Sequence, residues 1–136
     1  MELRIDMVTK KTKTKIQWTY QTFKVAGAGD KYRLTIGGGK GVGGDAMAIQ
    51  NKMQFTTYDQ DNDRLGINCA YRDWGGWWYN GCYYANLNGP HNTPSWAGVS
   101  QTYAKITWND GTAYQQLSSV EMKIRVKNCV QETQEC

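Results

Sequence analysis

Apolar and polar residues alternate in several separate stretches of the chain. The alternation predicts β-strands, because successive side chains of a strand point to opposite faces of a sheet. In the stretch 16–25 it predicts that Ile16, Trp18, Tyr20 and Phe23 point inward. Polar or glycine-rich turns separate the first three stretches, so the sequence predicts an antiparallel meander. The predicted strands are 3–7, 16–25, 32–36, 53–58, 103–108 and 120–126.

Residues 37–44, with the sequence GGGKGVGG, are predicted to form a flexible surface loop. A lysine among glycines is also typical of phosphate-binding loops, but that motif needs Ser or Thr directly after Gly-Lys. Here Gly41 follows Lys40, which excludes the motif. Asp45 is predicted to cap a short helical turn at 46–50, because aspartate is a favoured N-cap residue.

Length and charge narrow the class of protein. The chain has 136 residues, the size of one domain, and its net charge is +4. Part of the excess lies in the run from Lys10 to Lys15, which we interpret as a solvated hairpin turn. No base-stacking aromatics are interleaved with it, so nucleic acid is not an expected partner. No stretch has the length of a membrane span, and no signal peptide is recognisable at the N-terminus.

The cysteines favour disulfides over a zinc site. There are four Cys without a CxxC spacing, and the single histidine, His91, is distant from all of them. Disulfides predict an oxidising compartment and therefore a secreted protein whose signal lies outside this chain. Cys69 and Cys82 are near enough in sequence to close a short loop. Cys129 and Cys136 could pair locally, or bridge to another chain or to an absent segment.

Asp59, Asp61 and Asp63 form an acidic run at alternate positions. Their carboxylates repel one another unless a cation or solvent intervenes, and Ca²⁺ prefers such oxygen ligands. An EF-hand is excluded, because its sixth and twelfth positions, Gly and Glu, are here Arg64 and Ala70. The run therefore predicts a calcium site of another kind, and an exposed acidic turn without metal is the alternative.

A segment rich in aromatic residues follows between Cys69 and Tyr84. At least one of Trp77 and Trp78 is predicted to pack in the core. The remaining rings could line a small pocket in which asparagine side chains and backbone N–H groups are the polar partners. Such a pocket suits a small group with an apolar and a polar part, such as the methyl and carbonyl of an acetyl group.

With these motifs in order, the sequence resembles the fibrinogen C-terminal (fibrinogen-related) domain of ficolins, tachylectin-like lectins, angiopoietins and fibrinogen chains. The similarity runs from about residue 3 to residue 127, and the order and spacing of its motifs make it specific. The matching motifs are Leu3-Arg4-Ile5-Asp6, Asp30-Lys31-Tyr32-Arg33-Leu34, Gly44-Asp45-Ala46, Phe55 through Asn62-Asp63, Asn68-Cys69-Ala70, Gly76-Trp77-Trp78-Tyr79-Asn80, Cys82, Ala85-Asn86-Leu87-Asn88-Gly89 and Glu121-Met122-Lys123-Ile124.

The resemblance implies an α+β fold, in which a twisted antiparallel sheet with short helices carries a loop-rich calcium- and ligand-binding subdomain. It divides residues 1–128 into a sheet part at about 1–58, a calcium- and ligand-binding part at about 59–119 and a closing strand at about 120–127. Residues 129–136 form a cysteine-containing tail. The family's N-terminal part is absent before Met1, so a partial domain is expected.

The resemblance also implies the site residues. Ca²⁺ would be held by the Asp61 and Asp63 carboxylates and the backbone carbonyls of Leu65 and Ile67, with Asp59 nearby. It implies a Cys69–Cys82 disulfide preceded by a cis Gly81–Cys82 peptide. The ligand-binding residues would be Asp73, Trp77, Tyr79, Gly81, Cys82, Tyr83, Tyr103 and Tyr114.

Two positions depart from the family pattern. Tyr83 stands where the family usually has histidine, and a tyrosine cannot change charge near neutral pH. Residues Thr112-Ala113-Tyr114 lack the basic residue of the fibrin polymerisation pocket, so binding of fibrin knobs is not expected.

The resemblance therefore implies a calcium-dependent recognition module of innate-immunity type that binds acetylated glycans or microbial surface molecules. The alternative is a protein-interaction module that binds a receptor or matrix protein. No Ser or Cys has a base at motif spacing, so an enzyme is not expected. The full-length protein is expected to be a multimer, because glycan recognition needs several copies for avidity.

Overall fold

The computed structural model describes residues 1–91 and 105–127. One antiparallel sheet of six strands, in the order β3-β2-β1-β6-β5-β4, organises them. One short helix and two 3₁₀ turns, at Ala28–Asp30 and Ala48–Gln50, complete the described regular structure. The strands and the helix are β1 Glu2–Thr9, β2 Lys15–Val25, β3 Leu34–Gly41, α1 Cys69–Asp73, β4 Ala85–Asn86, β5 Thr107–Asn109 and β6 Tyr114–Arg125.

The predicted meander is confirmed and extended. Strand β1 lies between β2 and β6, with Ile5 opposite Trp18 on one side and Met122 on the other. Of the residues predicted to point inward, Trp18 and Tyr20 are buried, whereas Ile16 and Phe23 are partly buried. Because β6 comes from the end of the described chain and β1 from its beginning, their pairing closes the domain.

The glycine-rich stretch differs from its prediction, because residues 37–41 belong to β3 instead of a loop. Close packing explains the glycines. A Cβ added at Gly41 would lie 2.4 Å from Cε3 of Trp18, and one at Gly39 would lie 2.8 Å from the Asp45 carboxylate. Gly38 has a positive φ of 65°, which favours glycine. The missing side chains therefore let the strand pass over buried groups of its neighbours.

Three further predictions need correction. Residues 53–58 form a loop with isolated bridges instead of a strand, because their partners are single residues of other loops, as in the bridge between Thr56 and Trp77. The turn at Ala48–Gln50 has no side-chain cap. Asp45 instead accepts a hydrogen bond from the buried hydroxyl of Tyr20. Strand β6 begins at Tyr114, six residues before the predicted start at residue 120.

The core joins the sheet to the aromatic segment. Trp77 and Trp108 are the largest fully buried side chains, and Trp78 is also buried, which confirms the prediction for the tryptophan pair. Trp18 from β2 packs on Trp108 with ring centroids 5.9 Å apart. The indole N–H of Trp78 donates to the Tyr32 carbonyl at 2.8 Å. Among the residues described, no helix is long and apolar enough to cross a membrane.

Candidate functional site

The acidic loop is organised around Asp63, whose two carboxylate oxygens both accept backbone N–H groups. Oδ1 accepts from Leu65 and Oδ2 accepts from Cys69, each at 2.8 Å. Asp61 Oδ1 in turn accepts the N–H of Asp63 at 3.1 Å. Burial raises the pKa of Asp63, and the neighbouring charge of Asp61 adds to the shift. The loop therefore holds two carboxylates together at an electrostatic cost.

These residues fit the calcium ion that the family resemblance implies. Carboxylates and backbone carbonyls, such as those of Leu65 and Ile67 in the implied ligand set, are hard oxygen donors, the ligand type that Ca²⁺ takes. A divalent cation would offset the repulsion between Asp61 and Asp63. The Asp59 carboxylate accepts a hydrogen bond from the Thr57 hydroxyl at 2.7 Å instead of contacting the pair.

The start of α1 connects the acidic loop to the aromatic segment. Asn68 caps the helix, since its side-chain oxygen accepts the Tyr71 N–H at 3.0 Å. Its amide donates to the carbonyl of Thr57 at 2.9 Å. The helix also carries Cys69, and the predicted Cys69–Cys82 disulfide is present. The Gly81–Cys82 peptide is cis, as the resemblance implied.

The residues around Cys82 open into a pocket of about 600 Å³. Tyrosine rings dominate its wall. The Tyr114 hydroxyl donates to the Tyr83 carbonyl at 2.9 Å, and the two rings meet edge to face with centroids 6.1 Å apart. The lining residues are Ile49, Arg72, Asn80, Gly81, Cys82, Tyr83, Tyr84, Thr107 and Tyr114.

Tyr83 is wedged between two other rings, Tyr79 and Tyr114, each with its centroid 6.1 Å away. Burial raises the pKa of Tyr83, and the charge of Asp73 adds to the shift. The phenol therefore stays neutral over the physiological range. A ligand at this position would meet a neutral ring and hydroxyl instead of the titratable imidazole typical of the family.

Arg72 is a pocket residue that sequence reasoning missed. Its guanidinium binds the fully buried carboxylate of Asp73 through two hydrogen bonds, at 2.9 and 2.7 Å. Burial raises the pKa of Asp73, and Arg72 opposes the shift. The available signal was that these are the two charged residues between Cys69 and Tyr84. The local pattern did not show which of them would reach the pocket.

The structure brings four of the predicted ligand-binding residues together, because Gly81, Cys82, Tyr83 and Tyr114 all line the pocket. Three others are buried, at 0–1% exposure, and do not line it. Trp77 and Tyr79 belong to the core, and Asp73 lies behind Arg72. Tyr103, Cys129 and Cys136 lie outside the described residues.

Asp73 also lies beside the disulfide. One of its carboxylate oxygens and the sulfur atoms of Cys69 and Cys82 are within 4.8 Å of one another. Three such groups can hold a soft metal when the sulfurs are thiolates, but these sulfurs are bonded to each other. The cluster therefore consists of a disulfide beside the pocket and a carboxylate near it.

The sequence model of one protein family, the C-terminal globular domain of fibrinogen beta and gamma chains, matches residues 1–127. The chain belongs to this family. Ryncolin-4 from Cerberus rynchops is 39% identical over 110 residues, which cover 79% of the chain and 31% of that protein. Fibrinogen-like protein 1 from Bos taurus is 40% identical over 118 residues, covering 78% of the chain and 37% of that protein. The chain thus spans about a third of these relatives.

Solved structures of the family share the fold. The fibrinogen-like globe domain of human ANGPTL2 has a TM-score of 0.78 at 31% identity, covering 89% of this chain and 56% of that one. Lamprey fibrin D-dimer, in complex with the peptide Gly-His-Arg-Pro-amide, has a TM-score of 0.77 at 24% identity. That match covers 99% of this chain and 50% of that one. The curled antiparallel sheet with few short helices is therefore the family fold, and this chain spans about half of each of these two solved chains.

Proposed function

We propose that the chain is part of a secreted, non-enzymatic recognition module that binds acetylated glycans or microbial surface molecules with the help of calcium. The observation that carries the proposal is the tyrosine-walled pocket beside Cys82, with Arg72 in its lining. The methyl of an acetyl group packs favourably on aromatic rings. Its carbonyl needs a hydrogen-bond donor, and guanidinium N–H groups supply donors.

Calcium would act by bracing the loop that supports this pocket. The N–H of Arg64, directly after Asp63, donates to the carbonyl of Asn80 at 2.8 Å. The Leu65 side chain also packs on this turn, 3.9 Å from a Cβ added at Gly81. These direct contacts between the acidic loop and the Asn80–Cys82 turn support such a coupling. Calcium need not touch the ligand for binding to depend on it.

The test is calorimetric titration of the 136-residue chain with N-acetylglucosamine, with excess calcium and with chelator. We expect saturable binding in calcium and weaker binding in chelator. Glucosamine, which lacks the acetyl group, is the matched ligand control and should bind at least about tenfold more weakly, a difference of about 1.4 kcal/mol. Absence of binding in calcium would remove the acetyl-recognition proposal.

The calcium site has a separate test in Asp61→Asn, which keeps the Oδ1 acceptor for the Asp63 N–H but removes a charge. Wild-type protein should gain about 2.7 kcal/mol of unfolding free energy at a calcium concentration 100 times its dissociation constant. The variant should lose most of this gain in thermal unfolding with and without calcium.

Asp59→Asn is the matched control for that experiment. Asp59 bonds to Thr57 instead of the Asp61–Asp63 pair, so this variant should retain the stabilisation by calcium. Equal stabilisation of Asp61→Asn and wild type would show that the ion binds elsewhere.

A protein partner is the second candidate, because the pocket rim is open. Tyr84 and Tyr114 are about half exposed, at 47% and 51%, and their rings are 6.4 Å apart. Such a rim suits the aromatic-rich centre of a protein interface. The glucosamine comparison separates the two candidates, since a protein-binding rim has no reason to distinguish the acetylated from the unacetylated sugar. Several copies in the full-length protein would raise avidity in either case.

A further inference from the structure

A second cleft, of about 500 Å³, is lined in part by α1 and is separate from the Cys82 pocket. The helix supplies lining residues to both, Ala70 and Tyr71 to this cleft and Arg72 to the pocket. No described residue lines both cavities. The cleft is lined by Thr57, Tyr58, Asp59, Ala70, Tyr71, Trp74, Gly75 and Gly76.

Three aromatic side chains define the cleft, and two of them are strongly exposed. Tyr58 is 76% exposed and Tyr71 is 72% exposed, while Trp74 is partly buried. Exposed rings that converge on one cavity mark binding sites more often than isolated surface rings do. The loop that carries Tyr58 is tied to the helix that carries Tyr71, because the Asn68 amide donates to the Thr57 and Tyr58 carbonyls and its oxygen caps α1.

The charge of the cleft has one sign. Asp59 contributes a carboxylate, and the described residues that line the cleft include no lysine, arginine or histidine. The surface is otherwise largely apolar. The carbonyls of Gly75 and Gly76 already accept hydrogen bonds from the Tyr79 hydroxyl and the Asn88 amide. The cleft thus offers rings and a negative charge, and its other polar side-chain groups are the hydroxyls of Thr57, Tyr58 and Tyr71 and the indole of Trp74.

We propose that this cleft binds a trimethylated ammonium group, the class that includes choline and trimethyllysine. A trimethylammonium group has no N–H and cannot donate conventional hydrogen bonds, so it loses little in a largely apolar cleft. Its positive charge is attracted to the faces of Tyr and Trp rings. Asp59 supplies the complementary charge at the edge. The remaining space accommodates the group to which the ammonium is attached.

The experiment is titration of the 136-residue chain with choline in excess calcium. Tryptophan fluorescence and calorimetry measure the binding. Choline should bind saturably. Its neutral isostere 3,3-dimethyl-1-butanol has the same shape without the charge and should bind about 3- to 10-fold more weakly, as expected for loss of the cation–π attraction.

Variants locate the site. Asp59→Asn and Tyr71→Leu should each weaken choline binding about 3- to 10-fold. Tyr84→Leu, a half-exposed tyrosine of the Cys82 pocket, is the matched control and should leave it unchanged. Circular dichroism should show native folding of all three, because each side chain is exposed.

Three outcomes would overturn the proposal. They are no saturable binding of choline, equal affinity for the neutral isostere, or binding that survives both Asp59→Asn and Tyr71→Leu. Displacement of choline by N-acetylglucosamine in the Tyr84→Leu variant would identify the cleft as a sugar subsite instead. Because the two cavities share no described lining residue, failure here leaves acetyl recognition at the Cys82 pocket untouched, and the reverse also holds.

Discussion

At the scale of single residues, the pocket depends on the pair formed by Arg72 and Asp73. The Asp73 side chain is completely buried, whereas that of Arg72 is 32% exposed. A buried carboxylate is costly unless a cation and hydrogen bonds compensate it, and Arg72 supplies both. The pair therefore places a guanidinium at the pocket wall and holds it there. Replacing the arginine would leave the buried carboxylate without the partner that offsets the energetic cost of its burial.

We predict that Arg72→Met destabilises the protein by about 3 kcal/mol at pH 7, at the lower end for a broken buried pair because Arg72 is partly exposed. The cost should shrink as the pH falls. Burial already raises the pKa of Asp73, and loss of Arg72 raises it further, so the native variant takes up a proton at a higher pH than the unfolded chain. Chemical unfolding between pH 4 and pH 8 measures the difference.

Arg4→Met is the matched control for this prediction. Arg4 pairs with Asp6 on the outer face of β1, where its side chain is 54% exposed. Exposed ion pairs contribute little to stability because solvent screens them, so this variant should be nearly neutral. If Arg72→Met costs no more than Arg4→Met, the buried pair does not have the role described.

At the scale of elements, the pairing of β3 with β2 brings glycine backbone against a buried ring of the core. Trp18 of β2 is buried between Trp108 and Tyr20, with ring centroids 5.9 and 6.4 Å away. Gly41 pairs with Trp18 and leaves no room for a side chain. The glycine thus allows two strands to pair while a large indole fills the core.

We predict that Gly41→Ala destabilises the protein by roughly 1–3 kcal/mol, the range for overpacking in a core. The added Cβ would lie 2.4 Å from the Trp18 ring and 2.5 Å from the Gln17 carbonyl, so ring or backbone must move. Gly29→Ala is the control, because its Cβ would meet nothing within 4 Å. Thermal unfolding compares the two. Equal midpoints would mean that β3 adjusts without cost.

At the scale of the whole molecule, the Cys69–Cys82 bridge holds together the parts on which both proposed sites depend. It links the beginning of α1 to the turn that lines the Tyr83 pocket. The second cleft uses the same helix through Tyr71. One covalent bond therefore restrains the helix that both proposed sites share.

Removal of the bridge by Cys69→Ala with Cys82→Ala should destabilise the protein by about 3 kcal/mol, because the bridge restricts the unfolded chain over a separation of 13 residues. Guanidinium unfolding of the double variant and wild type measures the loss. Cys129→Ala with Cys136→Ala is the control, since it removes two cysteines and keeps this bridge. An equal loss in both double variants would contradict the assigned role.

The alternation of apolar and polar residues predicted the strands that pair with other strands along their length. Alternation located β1 and most of β2, because both strands have one buried face and one polar face. It failed for residues 53–58, whose alternation lies in a loop paired through single bridges. It also failed for residues 37–41. This part of β3 consists mostly of glycines, which show no alternation, and a side chain at Gly41 would meet the Trp18 ring.

The order of motifs by itself determined the family, the Cys69–Cys82 pair and the region of the pocket, because spacing along the chain carries that information. The tertiary structure decided which side chains reach the surface. It placed Arg72 in the pocket wall and Tyr79 in the core. It also gathered Tyr58, Asp59 and Tyr71 into a second cleft. The physical reason is that burial of a ring depends on all the elements packed against it, which no local pattern contains.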